Sequence, residues 1–196
     1  MKLKNKIHSS TIIDKNVKIA EGAKIWHWSH ISKNCNIGKN INIGQNVFIG
    51  ENINIGSNVK IQNNVSIFEG VELEDHVFCG PSVTFTNALF PRSEFPIKDK
   101  KKNYKRTLIK KGVSIGANST ILCGITIKKY AFVAAGSVVT KNVENYSLVM
   151  GNPARHVAWV SRAGSKLKFT NRNKVAKCEK TNEKYRLIKN KCILVK

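Results

Sequence analysis

Apolar residues recur along this chain with a period of six residues. The first series begins with isoleucines and consists of Ile7, Ile13, Ile19, Ile25, Ile31, Ile37, Ile43, Ile49, Ile55, Ile61 and Ile67. Leu73 and Cys79 continue the series, which returns at 109–139 after an interruption. A period of six excludes an amphipathic α-helix, in which apolar residues recur about every 3.6 positions.

The period predicts an all-β fold, a parallel β-solenoid built from short strands and polar turns. Three hexads make one turn, so each apolar residue stacks on its counterpart three hexads away, with about 4.8 Å between turns. A second series, which follows four residues after the first, is mostly small or β-branched and suits strands. Residues 7–84 and 109–144 would then form roughly six turns. The period alone does not fix the handedness.

Three segments depart from the period. Residues 86–108 contain prolines and many lysines, and we expect them to protrude from the 1–147 domain as a functional loop. Within residues 148–165, the sequence predicts a short C-terminal helix from about Pro153 to Arg162, with Pro in its first turn. Residues 166–196 are expected to form a loose basic tail, in which Lys184–Ile188 and Cys192–Val195 could pair as a small hairpin.

The chain carries 34 Lys and Arg against 12 Asp and Glu, a formal net charge of +22. This charge first suggests a nucleic-acid-binding module, but it is concentrated in the loop and the tail. Aromatic residues are not interleaved with these lysines as base-stacking platforms would require, so we expect no nucleic acid. The charge can instead attract anionic substrates.

Two further features concern the compartment. The five cysteines are scattered along the chain and fit a reducing cytoplasm better than a disulfide scaffold. The sequence has no apolar run long enough for a membrane span, and its N-terminus lacks the apolar stretch of a signal peptide. We therefore expect a cytoplasmic protein.

Stacking the hexads in register produces a column of polar residues beneath two tryptophans. The column consists of Trp26-His27-Trp28, Gly44-Gln45-Asn46, Gln62-Asn63-Asn64 and Gly80-Pro81-Ser82. Asn tolerates left-handed backbone, so such a column can be a simple ladder of turns. The alternative is a ligand-binding wall, in which His27, Gln62, Asn63 and Asn64 contact a substrate.

A second register stacks small residues: Gly116 on Ala134, Ala117 on Ala135, and Asn118 on Gly136. These residues leave a groove in which backbone groups could bind an extended ligand arm, or they serve only close packing of the turns. Asn152-Pro153-Ala154-Arg155 would lie at the end of this groove, where Arg155 could bind a phosphate.

Several motifs make a resemblance specific. They are Ile25-Trp26-His27-Trp28, Gln62-Asn63-Asn64-Val65-Ser66, Glu69-Gly70-Val71, the segment 73–81, Phe85-Thr86-Asn87, Pro91-Arg92-Ser93 and Asn152-Pro153-Ala154-Arg155. Over residues 7–165 the chain resembles the nucleotide-sugar 3-N-acetyltransferases, above all those that act on UDP-2-acetamido-3-amino-2,3-dideoxyglucuronate in bacterial surface-polysaccharide (O-antigen, lipopolysaccharide or capsule) synthesis. The resemblance implies a left-handed parallel β-helix, a homotrimer with active sites between subunits, and acetyl-CoA as co-substrate.

The reaction that the resemblance implies is acetyl transfer from acetyl-CoA to the C3 amine of the sugar. An amine with a pKa of about 8 is partly neutral at neutral pH and needs orientation more than a strong base. The loop contains no His, whereas related enzymes that acetylate a hydroxyl commonly use one there. We expect Asn87 to orient the amine, Glu69 to assist, and Arg92 to bind a uronate carboxylate or a diphosphate.

The residues expected to bind acetyl-CoA are Gly116, Ala117, Ala134, Ala135, Gly136, Asn152, Pro153 and Arg155. One alternative substrate is a dTDP-linked 3-amino-3,6-dideoxyhexose. A less favoured alternative resembles the γ-carbonic anhydrases, which need three converging His, whereas His27 and His30 would point away from His76. We expect no metal. A basic binding module is the remaining alternative.

Overall fold

The computed structural model describes residues 3–96, 99–170 and 174–195. Short strands, mostly two residues long, follow one another at the predicted spacing. They are β1 Lys6–Ile7, β2 Ile12–Ile13, β3 Lys18–Ile19, β4 Lys24–Ile25, β5 His30–Ile31, β6 Asn36–Ile37, β7 Asn42–Ile43, β8 Phe48–Ile49, β9 Asn54–Ile55, β10 Lys60–Ile61, β11 Ser66–Ile67, β12 Val71–Leu73, β13 Phe78–Cys79, β14 Thr84–Phe85, β15 Thr107–Ile109, β16 Ser114–Ile115, β17 Thr120–Ile121, β18 Thr126–Ile127, β19 Phe132–Val133 and β20 Val138–Val139.

The strands form the three faces of a prism. The first face contains β1, β4, β7, β10, β13, β16 and β19, the second contains β2, β5, β8, β11, β14, β17 and β20, and the third contains β3, β6, β9, β12, β15 and β18. Pairing is parallel and spans three hexads, as between Ile7 and Ile25. The left-handed β-helix predicted from the period and the resemblance is confirmed, with about eight turns rather than six.

Both apolar series point into the prism. Ile43, Ile61 and the second-series residue Val65 are all fully buried. At the corners the chain uses left-handed backbone, mostly at Asn, whose φ is 52° at Asn46 and 61° at Asn64. Alternating buried apolar strands and tolerant polar corners therefore produce the repeat.

The loop leaves the prism after β14 and returns at β15. Its base is closed where the Lys105 N–H donates to the Asn87 carbonyl at 2.9 Å, and Ala88 bridges Tyr104. It contains a short helix, α1 (Lys100–Asn103). The loop does not disturb the faces, because β14 pairs with β17 across it.

The predicted helix near Pro153 is wrong. The structure has two antiparallel strands there, β21 (Ser147–Gly151) and β22 (Ala154–Trp159), joined by a turn with a cis Asn152–Pro153 bond. Strands form here instead of a helix because β21 pairs with β19 and so continues the first face, and β22 then pairs with the free edge of β21. Pro153 therefore occupies a tight turn and does not start a helix.

The C-terminal segment is folded, so the expectation of a loose tail is wrong. The predicted hairpin is present as β24 (Lys184–Ile188) and β25 (Lys191–Val195), and β23 (Val175–Lys177) adds a third antiparallel strand. The physical reason is a second small core, in which the fully buried ring of Tyr185 packs against Tyr146 of the last turn of the prism. No helix in the described part of the chain is long and apolar enough to cross a membrane.

Candidate functional site

The corners between the first and second faces stack into one continuous edge, called here the front edge. Its corners are 26–28, 44–46, 62–64, 80–82, 116–118 and 134–136. Backbone hydrogen bonds join neighbouring corners along this edge. At one end the Asn46 N–H donates to the His27 carbonyl at 3.0 Å, and at the other end the Gly136 N–H donates to the Ala117 carbonyl at 2.8 Å. The polar column and the small-residue run, which the sequence suggested as two registers, are therefore one surface.

The asparagines of the front edge largely support the turns. The Asn64 Oδ1 accepts from Asn46 Nδ2 at 3.0 Å, and the Asn63 Oδ1 accepts from the Gln45 N–H at 2.9 Å. The half-buried side chain of Gln62 has no hydrogen-bond partner among the described residues. Of the three predicted amides, Gln62 is thus the one that makes no turn-supporting bond, whereas Asn63 and Asn64 are exposed and engage their Oδ1 atoms in the turns.

The small residues divide into packing and open positions. A Cβ on Gly116 would lie 2.4 Å from the backbone nitrogen of Ala135, so Gly116 serves close packing of the turns. Ala135 is exposed, and nothing lies within 4 Å of a Cβ built on Gly136. The groove is therefore open at Ala135 and Gly136, with Ala117 and Ala134 half-buried beside them.

The turn at Asn152 and Pro153 lies one turn beyond the small residues, where the Ala134 N–H donates to Val149 O at 2.9 Å. Arg155 is exposed and projects beside this end of the edge, with its guanidinium donating to the Ala154 carbonyl at 3.1 Å. The position suits a phosphate of an extended anionic ligand.

Arg155 also lines a cavity of about 590 Å³ at the end of the prism, together with Lys141, Ser147 and His156. The Ser147 hydroxyl lies 2.7 Å from His156 Nδ1, and burial lowers the pKa of His156 below its ordinary value. This lowered pKa favours the neutral imidazole, which lies against Ser147 of the neighbouring strand β21.

Glu69, Asn87 and Arg92 lie elsewhere, at the corner between the second and third faces, called here the back edge. The Glu69 Oε1 accepts from Asn52 Nδ2 at 2.7 Å. The side-chain amide of Asn87 is half-buried and has no hydrogen-bond partner in the described structure, and Arg92 is exposed. Within one chain, the structure does not bring Asn87 to Gln62, because the whole second face lies between them.

His27 contacts three aromatic rings and one amide, with its Nδ1 3.4 Å from Gln45 Nε2. Its ring centroid lies 3.6 Å from that of His8, 6.4 Å from Trp26 and 5.4 Å from Trp28. Trp26 and Trp28 are not among the residues to which the sequence motifs assign a role, although they are 47% and 66% exposed. These two positions stand out in the sequence by side-chain size, since the corners from 44–46 to 134–136 carry Gly, Ala, Ser or amide side chains there.

The histidines do not converge. His30 lies on the second face, 3.2 Å from Asp14, whereas His76 lies at the corner between the third and first faces. Over the described ranges, no group of three or more His, Cys, Asp or Glu could hold a metal ion.

Two comparisons identify the repeats. Residues 106–141 match the bacterial transferase hexapeptide family of six repeats, and residues 36–69 match the hexapeptide repeat of succinyl-transferase. Among solved structures, the fold resembles GDP-perosamine N-acetyl transferase from Caulobacter crescentus, solved with CoA and GDP-perosamine. The TM-score is 0.57 at 18% identity, over 81% of this chain and 58% of the other. That likeness shows the fold alone.

Curated relatives add sequence similarity over part of the chain. The chain is 50% identical over 78 residues to a dTDP-3-amino-3,6-dideoxy-alpha-D-galactopyranose 3-N-acetyltransferase of Aneurinibacillus thermoaerophilus, over 40% of this chain and 41% of that protein. It is 32% identical over 108 residues to a 2,3,4,5-tetrahydropyridine-2,6-dicarboxylate N-acetyltransferase of Staphylococcus aureus, over 55% and 39%. The chain thus spans about two fifths of the length of these relatives. Residues 36–69 and 106–141 therefore match models of hexapeptide repeats, and the chain has the left-handed β-helix that such repeats form.

Proposed function

We propose that the protein is an acetyl-CoA-dependent N-acetyltransferase that acts on the C3 amine of a nucleotide-linked amino sugar. The relative that is 50% identical acetylates the 3-amine of a dTDP-sugar, and the fold neighbour was solved with CoA and a nucleotide sugar. The observation that carries the proposal is the pair of available amides, Gln62 on the front edge and Asn87 on the back edge.

The second face provides a way to bring the two edges together. Its outward positions contain no Lys, Arg, Asp or Glu: they are Ile12, His30, Phe48, Ser66, Thr84, Thr120 and Val138. In contrast, the first face presents Lys6, Lys24 and Lys60. An uncharged flat face on a chain with a net charge of +22 suits burial in an assembly.

We infer a homotrimer in which the second face is turned towards the three-fold axis. The two edges that border this face then meet across each subunit contact, front edge of one copy against back edge of the next. Gln62 and the small-residue groove would come from one subunit, and Asn87 and Arg92 from its neighbour. The site is incomplete in one chain.

In this site the neutral amine attacks the acetyl thioester. The nitrogen–carbon bond forms, the carbon–sulfur bond breaks, and the amine proton leaves as CoA departs as a thiol. The side-chain oxygen of Asn87 accepts a hydrogen bond from the amine and aims its lone pair, which is catalysis by orientation. The groove at Ala135 and Gly136 holds the pantetheine arm, and Arg155 binds a CoA phosphate.

Two substrates fit this site. UDP-2-acetamido-3-amino-2,3-dideoxyglucuronate would place its carboxylate near the exposed guanidinium of Arg92. A dTDP-3-amino-3,6-dideoxyhexose is the substrate type of the 50% identical relative. Either product would serve bacterial surface-polysaccharide synthesis, in the cytoplasm where acetyl-CoA is available.

A thiol-release assay with acetyl-CoA and a panel of UDP- and dTDP-3-amino sugars tests the function. We expect turnover with at least one 3-amino sugar and a large loss in Asn87→Ala. Asn103→Ala is the matched control, because Asn103 lies in the same loop and donates to Asp99 O at 2.8 Å. Absence of thiol release across the panel would overturn the proposed function, and a wild-type rate in Asn87→Ala would remove Asn87 from it.

A further inference from the structure

The first turns of the front edge carry an exposed aromatic cluster that the acetyl-transfer chemistry does not use. Trp26 and Trp28 flank His27, whose ring packs against the ring of His8 at a tilt of 34°. The Trp26 indole N–H donates to Asn42 Oδ1 at 2.9 Å, which fixes this ring beside the first face. The cluster therefore presents rigid aromatic surface to solvent.

Trp28 occupies a backbone conformation that does not suit it. Its φ is 57°, in the left-handed region, where a bulky side chain is rare. The equivalent corner positions hold residues that tolerate this region: Asn46, Asn64, Ser82, Asn118 and Gly136. Asn suits this backbone conformation better than Trp does. Because 66% of the surface of Trp28 is exposed, its side chain contributes neither to the turn nor to the core.

Lysines lie beside the cluster on the first face. Lys24, Asn42 and Lys60 are in register on neighbouring strands and line a groove of about 650 Å³. Neither Lys24 nor Lys60 has a salt-bridge partner among the described residues. Aromatic planes next to uncompensated cations match a ligand with a planar base and a diphosphate.

We propose that Trp26 and Trp28 stack the nucleobase of the nucleotide sugar, and that Lys24 and Lys60 bind its diphosphate. This inference rests on the proposed function. Gln62 lies two turns along the edge from Trp26, about 10 Å at about 4.8 Å per turn. The edge would then present its ligands in order: base at the tryptophans, sugar at Gln62, and CoA at the small residues.

Trp28→Asn is the decisive variant, because it removes the indole and installs the residue used at the equivalent corners. We expect its Tm to stay or rise, and its Kd for UDP or dTDP to weaken roughly tenfold or more, the scale of one lost base stack. Kd is measured by isothermal titration calorimetry on the full chain. Inorganic pyrophosphate, which has no base, should bind equally to wild type and Trp28→Asn but more weakly to Lys24→Ala.

Trp159→Phe, which changes the Trp of the C-terminal part, is the control and should keep the wild-type Kd. An unchanged Kd for UDP and dTDP in Trp28→Asn would overturn the inference. A change of oligomeric state in Trp28→Asn, measured by light scattering, would overturn it in favour of a subunit contact. If nucleotides bind at the tryptophans but no amino sugar is acetylated, the inference stands and the proposed function fails. If acetyl transfer proceeds with an unchanged KM in Trp28→Asn, the proposed function stands and the inference fails.

Discussion

Gly116→Ala tests whether packing or cofactor binding explains the small residue at this corner. The added Cβ would lie 2.4 Å from Ala135 N, 2.8 Å from Ala135 Cα and 2.9 Å from Ala134 C. These are backbone atoms of the next turn and cannot rotate away, so the two turns must separate by about 1 Å to reach ordinary contact. Overpacking of this kind costs about 1–3 kcal/mol.

The sign of the change in Tm distinguishes close packing from cofactor binding as the reason for the glycine. The backbone of Gly116 is not in the left-handed region. At an open site of this kind, Gly→Ala stabilises by about 0.4–1 kcal/mol through the unfolded chain. We therefore expect Tm to fall by roughly 2–12 °C in differential scanning calorimetry, given about 2–4 °C per kcal/mol for a chain of this size. Ala135→Ser, at an exposed position of the same edge, should leave Tm unchanged. A Tm above wild type in Gly116→Ala would refute the packing argument.

Three further predictions concern the groove and the C-terminal part. Ala135→Leu should fill the open groove and raise the KM for acetyl-CoA at least tenfold, with Tm unchanged; an unchanged KM would place the pantetheine arm elsewhere. The pKa of His156 is lower in the folded protein than its unfolded value of about 6.5. The contribution of the neutral imidazole to the free energy of unfolding is therefore complete above that value and is lost as pH falls towards the folded pKa. Wild type should therefore lose more Tm than His156→Gln between about pH 7 and 5, and parallel melting curves would contradict this. Tyr185→Phe removes a hydroxyl that donates to Glu183 at 2.8 Å and accepts from the Arg162 N–H at 3.0 Å. Urea denaturation should show a loss of about 1–2 kcal/mol, and no loss would mean that the small C-terminal core does not depend on this bond.

The faces of the prism could be predicted because the period is a whole number of residues. Every third hexad returns to the same face, so counting residues places Ile25 beside Ile7 and Ile61 beside Ile43, as the strand pairing has them. The same counting would have joined the two runs of the front edge. Cys79 pairs with Ile115 across the loop, so the loop adds a whole turn's length and preserves the phase.

The C-terminal part could not be predicted in this way. A Pro at the start of a polar–apolar stretch is typical of a helix, but the free edge of β21 offered hydrogen bonds that only another strand can accept. For the site, the sequence analysis named the residues but did not predict on which edge of the prism each one lies. Asn87 and Gln62 were both named, and counting hexads would have placed them at different corners, because Gln62 follows a first-face strand and Asn87 a second-face strand.

Subunit complementation tests most directly that one active site is built from two edges of different copies. Asn87→Ala and Gln62→Met are each purified, unfolded, mixed in equal amounts and refolded together, and acetyl transfer is measured against each variant refolded alone. Random assembly leaves both an intact front edge and an intact back edge at about one quarter of the contacts. The mixture should therefore recover about a quarter of the wild-type rate. A mixture no more active than the two variants apart would contradict the shared site.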